Sequence, residues 1–163
     1  MIRERLTNIF IVAMSVHNAN TTVLSGCLRQ VQHFYKVHNT LPDTRGANLA
    51  ARCGYLHILE YLNSFGVEPD MTGVCWAAEK GYFKTLFYVL PRNTDLSGVS
   101  DSALAGGHIN LVRRLHCKFG LVPTSVGATR ALANKNMAAV KFARSKFKVY
   151  PIGEETIFIP QNR

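Results

Sequence analysis

No stretch of 18 consecutive apolar residues occurs in this 163-residue sequence, so nothing in it is built to cross a membrane as a helix. Cysteine is sparse: Cys27, Cys53, Cys75 and Cys117 lie far apart, with no Cys-x-x-Cys pair. That spacing argues against a zinc knuckle and a disulfide framework and fits a reducing compartment. An intracellular location, cytoplasmic or nuclear, is therefore expected. Paired carboxylates, a nucleophile elbow and a glycine-rich phosphate loop are all missing, so no enzymatic activity is expected. His33 and His38 are five residues apart, not the four that put two ligands on one helical face. Neither a metal nor a cofactor is expected. Acidic residues are also missing from residues 102–153, and that gap organises the charge of the whole chain.

The composition is that of a folded domain: 47% hydrophobic and 18% charged, in a chain long enough to bury a core without disulfide staples. Lys and Arg number 19 against 10 Asp and Glu, a formal net charge of +9. The acid-free stretch holds Arg113, Arg114, Lys118, Arg130, Lys135, Lys141, Arg144, Lys146 and Lys148. The remaining ten basic residues offset the ten acids. The whole excess therefore sits at one end of the sequence, where it bears on partners rather than on fold.

Periodicity supplies the architecture. Leu6, Ile9, Phe10 and Ala13 fall at i, i+3, i+4 and i+7, the face of an amphipathic helix. Thr7, Asn8 and Ser15 interrupt the apolar run a signal peptide requires, so residues 1–17 are expected to form a capping helix. Further on, Gly54, Leu56, Leu59 and Leu62 recur as Gly81, Phe83, Leu86 and Val89, then as Gly107, Ile109, Val112 and Leu115. Lys135, Met137, Val140 and Ala143 form a degenerate copy, and Gly26, Leu28, Val31 and Phe34 an earlier one. From Gly54 onward the anchors are 27, 26 and 28 residues apart. Before them stand small pairs: Ala50-Ala51, Ala77-Ala78, Ala103-Leu104 and Ala131-Leu132.

Each unit is predicted to be a helical hairpin. A first helix ends near the small pair, glycine supplies a left-handed turn, and a second helix presents the apolar stripe. One hairpin is too small to bury its own stripe, whereas stacked copies share a continuous core. Residues 18–150 are read as this array, with no strand between 18 and 149. Lys135 at a glycine place predicts a distorted turn, with Asn134 or Asn136 in the left-handed conformation. Pro151 is expected to end the array. The tail, 151–163, reads as extended, with Ile157, Phe158 and Ile159 capping the last repeat or meeting a partner.

The stretch Ser102-Ala103-Leu104-Ala105-Gly106-Gly107-His108-Ile109-Asn110-Leu111-Val112 resembles the helical core of an ankyrin repeat, as does Leu49-Ala50-Ala51-Arg52-Cys53-Gly54-Tyr55-Leu56. Val74-Cys75-Trp76-Ala77-Ala78-Glu79-Lys80-Gly81 resembles the divergent repeats of giant DNA viruses of amoebae. The fold implied is an all-α, ankyrin-like repeat solenoid of about five hairpins, with the capping helix before it and the tail after. The resemblance implies a non-enzymatic protein–protein interaction scaffold, and a host protein as partner if the viral likeness holds. Ordinary repeats run to about 33 residues and carry a Thr-Pro-Leu-His motif. Here the period is shorter and the motif is missing, so the β-turn fingers that usually form the binding edge are not expected.

Repeat register places the charges in ladders. Arg113 and Lys141 hold equivalent places, as do His116 and Arg144, and as do Arg92, Lys118 and Lys146. Lys141, Arg144 and Lys148 share one helical face. We expect Arg113, Arg114, Lys118, Lys141, Arg144 and Lys148 to bind a partner, an acidic protein first and nucleic acid second. Phe142 and Phe147 read as core, which leaves no stacking platform for bases. Phe87, in the same outward slot as Arg113 and Lys141, forms with Tyr61 and Tyr88 a second, aromatic candidate patch. The apolar tail leaves self-assembly as a further alternative. Trp76 reads as packing between repeats rather than as an exposed anchor.

Overall fold

Apolar periodicity of 3.6 residues produces helices throughout. The computed structural model describes residues 17–90 and 96–153, and every regular element among them is helical. The described part of α1 is 17–23. After it come α2 (Leu28–His38), α3 (Thr44–Cys53), α4 (Leu56–Asn63), α5 (Met71–Lys80) and α6 (Phe83–Val89). The last four are α7 (Ser97–Ala105), α8 (Ile109–Phe119), α9 (Ser125–Ala133) and α10 (Met137–Phe147). The expected capping helix, Arg92, Glu154, Glu155 and the apolar run Ile157, Phe158 and Ile159 lie outside the described residues, apart from His17 at the end of the first. Two compact units are formed, Met1–Ala77 with Lys84–Leu90 and Ala78–Phe83 with Pro91–Arg163.

The glycine anchors take the left-handed conformation: φ is 67° at Gly26, 76° at Gly54, 73° at Gly81 and 82° at Gly107. Gly54 shows what the turn achieves. Its N–H caps the end of α3 on the carbonyls of Ala50 and Ala51, and the chain reverses into α4 within two residues. At the degenerate anchor the expectation fails in an informative way. Asn134 and Asn136 keep negative φ, of −79° and −83°, and Lys135 itself adopts φ 60°. The two asparagines are used instead as donors, both reaching the carbonyl of Ala105.

In the first unit the α3–α4 hairpin is held by Ala47, Ala50 and Ala51 on one helix and Ile58, Leu59 and Leu62 on the other, all essentially inaccessible to water. Alanine lets the backbones approach, and each buried leucine contributes about 2 kcal/mol by leaving water. In the second unit α7 packs against α8 and α9, and α9 against α10, through Ala103, Leu104, Ala105, Ala128 and Ala131. The central stripe position is buried in all five copies: Val31, Leu59, Leu86, Val112 and Val140. The stripe fails at Met137, which is 50% exposed, so the last copy has lost an apolar contact as well as its glycine.

A polar device joins every second helix inside each unit, α1 to α3, α3 to α5 and α7 to α9, and apolar periodicity gives no sign of it. In the first unit, Asn20 donates to the Asp43 carboxylate at 2.9 Å, and the Asp43 N–H donates back to the Asn20 carbonyl oxygen at 3.0 Å. Asp43 then caps α3 by accepting from the N–H groups of Arg45 and Gly46. Asn48 and Asp70 repeat the pairing at 2.9 and 3.0 Å, and Asp70 caps α5 through the Thr72 N–H. In the second unit Asp101 accepts both the N–H and the hydroxyl of Thr124, which caps α9 at Val126. Each cap satisfies a helix N–H that has no partner within the helix and is worth about 1 kcal/mol.

The sequence signature of this device is Pro, then Asp or Thr, then Gly three residues on: Pro42-Asp43-x-x-Gly46, Pro69-Asp70-x-x-Gly73 and Pro123-Thr124-x-x-Gly127. A side chain at those glycines would collide with Asn20, Asn48 and Asp101 respectively. By register, the remaining set is Cys75, Leu96 and Val99, which offers none of these groups, and Leu96, just before α7, gives that helix no side-chain cap. Once more beyond α10, buried Pro151 precedes Ile152, whose N–H donates to the Thr129 hydroxyl at 2.8 Å. Thr129 holds the register place of Asn20, Asn48 and Asp101.

Candidate interaction site

The basic residues are carried by the two second helices of the second unit. On α8 the buried stripe residues Leu111, Val112 and Leu115 turn Arg113, Arg114 and Lys118 outward. On α10, Ala139, Val140 and Ala143 do the same for Lys141, and Lys148 caps the helix in the left-handed conformation with φ 58°. Arg113, Arg114, Lys118, Lys141 and Lys148 are exposed, while Arg144 is half-buried.

Aromatic rings lie beneath four of these cations. The Arg113 guanidinium lies 5.1 Å from the centre of the Phe142 ring, and that of Arg114 lies 5.1 Å from Phe83. The Arg144 guanidinium lies 5.3 Å from the centre of the Tyr150 ring, and the Lys118 ammonium sits 5.5 Å from that of Phe119. Contrary to expectation, Phe142 and Phe147 are not core residues. Both are half-buried, edge to face with each other at 5.6 Å, and the His116 ring meets Phe147 edge-on at 5.0 Å. The reason is local: the small residues Ala139 and Ala143 pack the inner face of α10, and the phenylalanines flank it.

Arg130 behaves differently. It projects from first helix α9, pairs with Glu79 at 2.9 Å and reaches the Ser102 hydroxyl at 3.5 Å. His108 Nε2 donates to the Glu79 carbonyl oxygen at 2.9 Å. In the first unit His57 Nε2 does the same to the Gly26 carbonyl at 3.1 Å. His108 thus satisfies a carbonyl in the last turn of α5, and His57 one in the turn between α1 and α2.

The aromatic candidates divide. Tyr61 packs edge-on against Phe65 at 5.1 Å, and Phe65 meets Tyr35 at 5.3 Å. Burial, and then the neighbouring Tyr35, hold the Tyr61 hydroxyl above its ordinary pKa. Tyr88 instead accepts a hydrogen bond from the Asn63 amide at 3.0 Å, and Phe87 is half-buried. Tyr61 and Tyr88 therefore belong to separate contacts. Phe65, exposed and touching both Tyr35 and Tyr61, was not among the residues picked from sequence. A further groove of about 680 Å³ in the first unit is lined by His17, Asn20, Asp43, Arg45, Leu49 and Trp76. Trp76 is half-buried there, with the Arg52 guanidinium 5.2 Å from its ring.

The described residues are therefore all-helical in their regular elements, and the acid-free region presents three arginines and Lys118 on aromatic supports. Among the described residues no group of three or more His, Cys, Asp and Glu is placed to hold a metal ion, and no helix is long and apolar enough to cross a membrane. The chain matches no model of a known protein family, and no curated protein matches it in sequence.

Proposed function

We propose that the chain is an ankyrin-like array of about five short hairpins acting as a non-enzymatic, intracellular scaffold that binds a partner protein. The binding surface in this reading is the basic face of α8 and α10, formed by Arg113, Arg114, Lys118, Lys141, Arg144 and Lys148. One observation carries it: Arg113 and Arg114 are exposed, rest on aromatic rings and are in no ion pair among the described residues. A face kept only for solubility needs no such supports, whereas a partner-binding face gains from side chains already ordered before contact. The recurring Asn–Asp and Asp–Thr pairings at one register support the repeat reading. A host protein is the expected partner if the likeness to giant-virus repeats reflects origin.

Affinity capture with the full chain, followed by mass spectrometry of the retained proteins and by salt elution, tests this reading. A defined partner that elutes as salt rises is expected. A nucleic-acid function is the second reading, since the Arg113 cation of α8 lies beside half-buried rings of α10. A mobility shift of single-stranded oligonucleotides at low salt, with no protein retained, would replace the first reading with the second.

A further inference from the structure

Two arginines of α8 are held on separate rings. Arg113 lies over Phe142 of α10 and Arg114 over Phe83 of α6, each with its guanidinium 5.1 Å from the ring centre. A guanidinium held over a ring loses side-chain freedom, while its N–H donors stay available to any anion that arrives. Each guanidinium is tied to its own support, so bringing both to one centre would draw at least one of them off its ring. They are unsuited to converging on one phosphoryl group, which draws several donors to a single centre. Separate, singly charged anions are the better match.

The rings themselves are already engaged. Phe142 carries Arg113 and packs at a right angle to Phe147, and Phe147 packs steeply against His116. Bases stacking on these rings would first have to displace those contacts, so the arrangement disfavours single-stranded nucleic acid. Lys141, exposed on α10 in the register place of Arg113, adds a further cation about one helix spacing away. From residue 102 to residue 153 no acid interrupts the set.

We propose that the α8–α10 face recognises a carboxylate-rich segment of a partner protein, in which spaced Asp or Glu side chains each pair with one ring-supported guanidinium. The proposal rests on the reading of this face as the protein-binding surface and adds that recognition needs arginine forks, not positive charge alone. Arg113 and Arg114 give directional, two-point contacts to carboxylates, and Lys141 supplies undirected attraction. Phe142 and Phe83 position the arginines.

The test is fluorescence anisotropy with the full chain and a labelled peptide of glutamates spaced by alanines. The charge-preserving variants Arg113→Lys and Arg114→Lys, and their double, are compared with wild type. The proposal expects the double variant to bind at least tenfold more weakly while its helical circular dichroism and melting temperature stay unchanged. Phe142→Leu, which keeps both arginines and removes one support, is expected to weaken binding about threefold. Equal binding by wild type and the Arg-to-Lys double variant would overturn the proposal and leave the broader protein-binding reading standing. Tighter binding of a singly phosphorylated peptide, or of a single-stranded oligonucleotide, than of the glutamate peptide would also overturn it. Failure of any probe to bind would overturn it too, and capture of a protein partner would then decide the broader reading independently.

Discussion

Asn48 and Asp70 hold each other twice, the amide donating to the carboxylate at 2.9 Å and the Asp70 N–H returning to the amide oxygen at 3.0 Å. One side chain thus fixes both the cap of α5 and its position against α3. Replacing Asn48 by Ala leaves the Asp70 N–H without its partner and removes a donor from its carboxylate. A loss of about 1–3 kcal/mol is expected in chemical denaturation.

The same pair makes stability depend on acid. Burial pushes the Asp70 carboxyl up, but hydrogen bonds from Thr72, Asn48 and Gly73 outweigh it and hold the pKa below its ordinary value. A depressed folded value means that the stabilisation is complete above the unfolded pKa, about 3.9, and is lost as pH falls through the lower folded value. Carboxylate NMR titration should place Asp70 below ordinary aspartates. In Asn48→Ala it should move upward.

Lys135 takes φ 60° where every other anchor is glycine. A side chain in that conformation costs about 1–2 kcal/mol, partly offset by the greater freedom of glycine in the unfolded chain. Lys135→Gly should therefore stabilise the protein by about 0.5–1 kcal/mol, read as a rise in melting temperature. A fall would mean that the Lys135 side chain makes a contact worth more than the strain.

Gly106 is required for a different reason. Its φ is an ordinary −72°, but an added Cβ would press into the backbone carbonyl of Glu79, the same oxygen that accepts from His108. Backbone has little room to yield. Gly106→Ala should cost more than 2 kcal/mol in denaturant titration, on the scale of an overpacked core.

Ser100 is fully buried on α7, and its hydroxyl has no hydrogen-bond partner among the described residues. Removing an unsatisfied buried group relieves its desolvation cost. Ser100→Ala should raise stability by about 1 kcal/mol, measured by the same titration.

How much of this was legible in the sequence depends on which physical signal each feature leaves. Helix positions, the left-handed turn at Gly54 and the buried places of Leu59, Leu86 and Val112 follow from apolar spacing and glycine placement, and the structure has them there. The Asn20–Asp43 and Asn48–Asp70 pairs escaped because a search for apolar stripes passes over polar residues. The Pro-Asp-x-x-Gly spacing would have revealed them. Phe142 and Phe147 were misplaced because aromatic character was equated with burial, whereas Ala139 and Ala143 already fill the inner face of α10. The cations of α8 and α10 were found from charge spacing. Their aromatic supports were not, because Arg114 reaches a ring 31 positions earlier in the chain.

The central claim is that location, not total charge, makes the basic face bind. Reversing Arg113, Arg114, Lys141 and Arg144 to Glu reverses four of the cations of α8 and α10. Reversing Arg29, Lys36, Arg45 and Lys84 instead changes net charge equally but on exposed residues of the other unit. Quantified co-precipitation of the partner captured by wild type compares the two variants at matched concentration and salt. The account predicts at least a tenfold loss for the α8–α10 variant and near wild-type recovery for the other. Equal recovery by both variants, or loss in both alike, would contradict it.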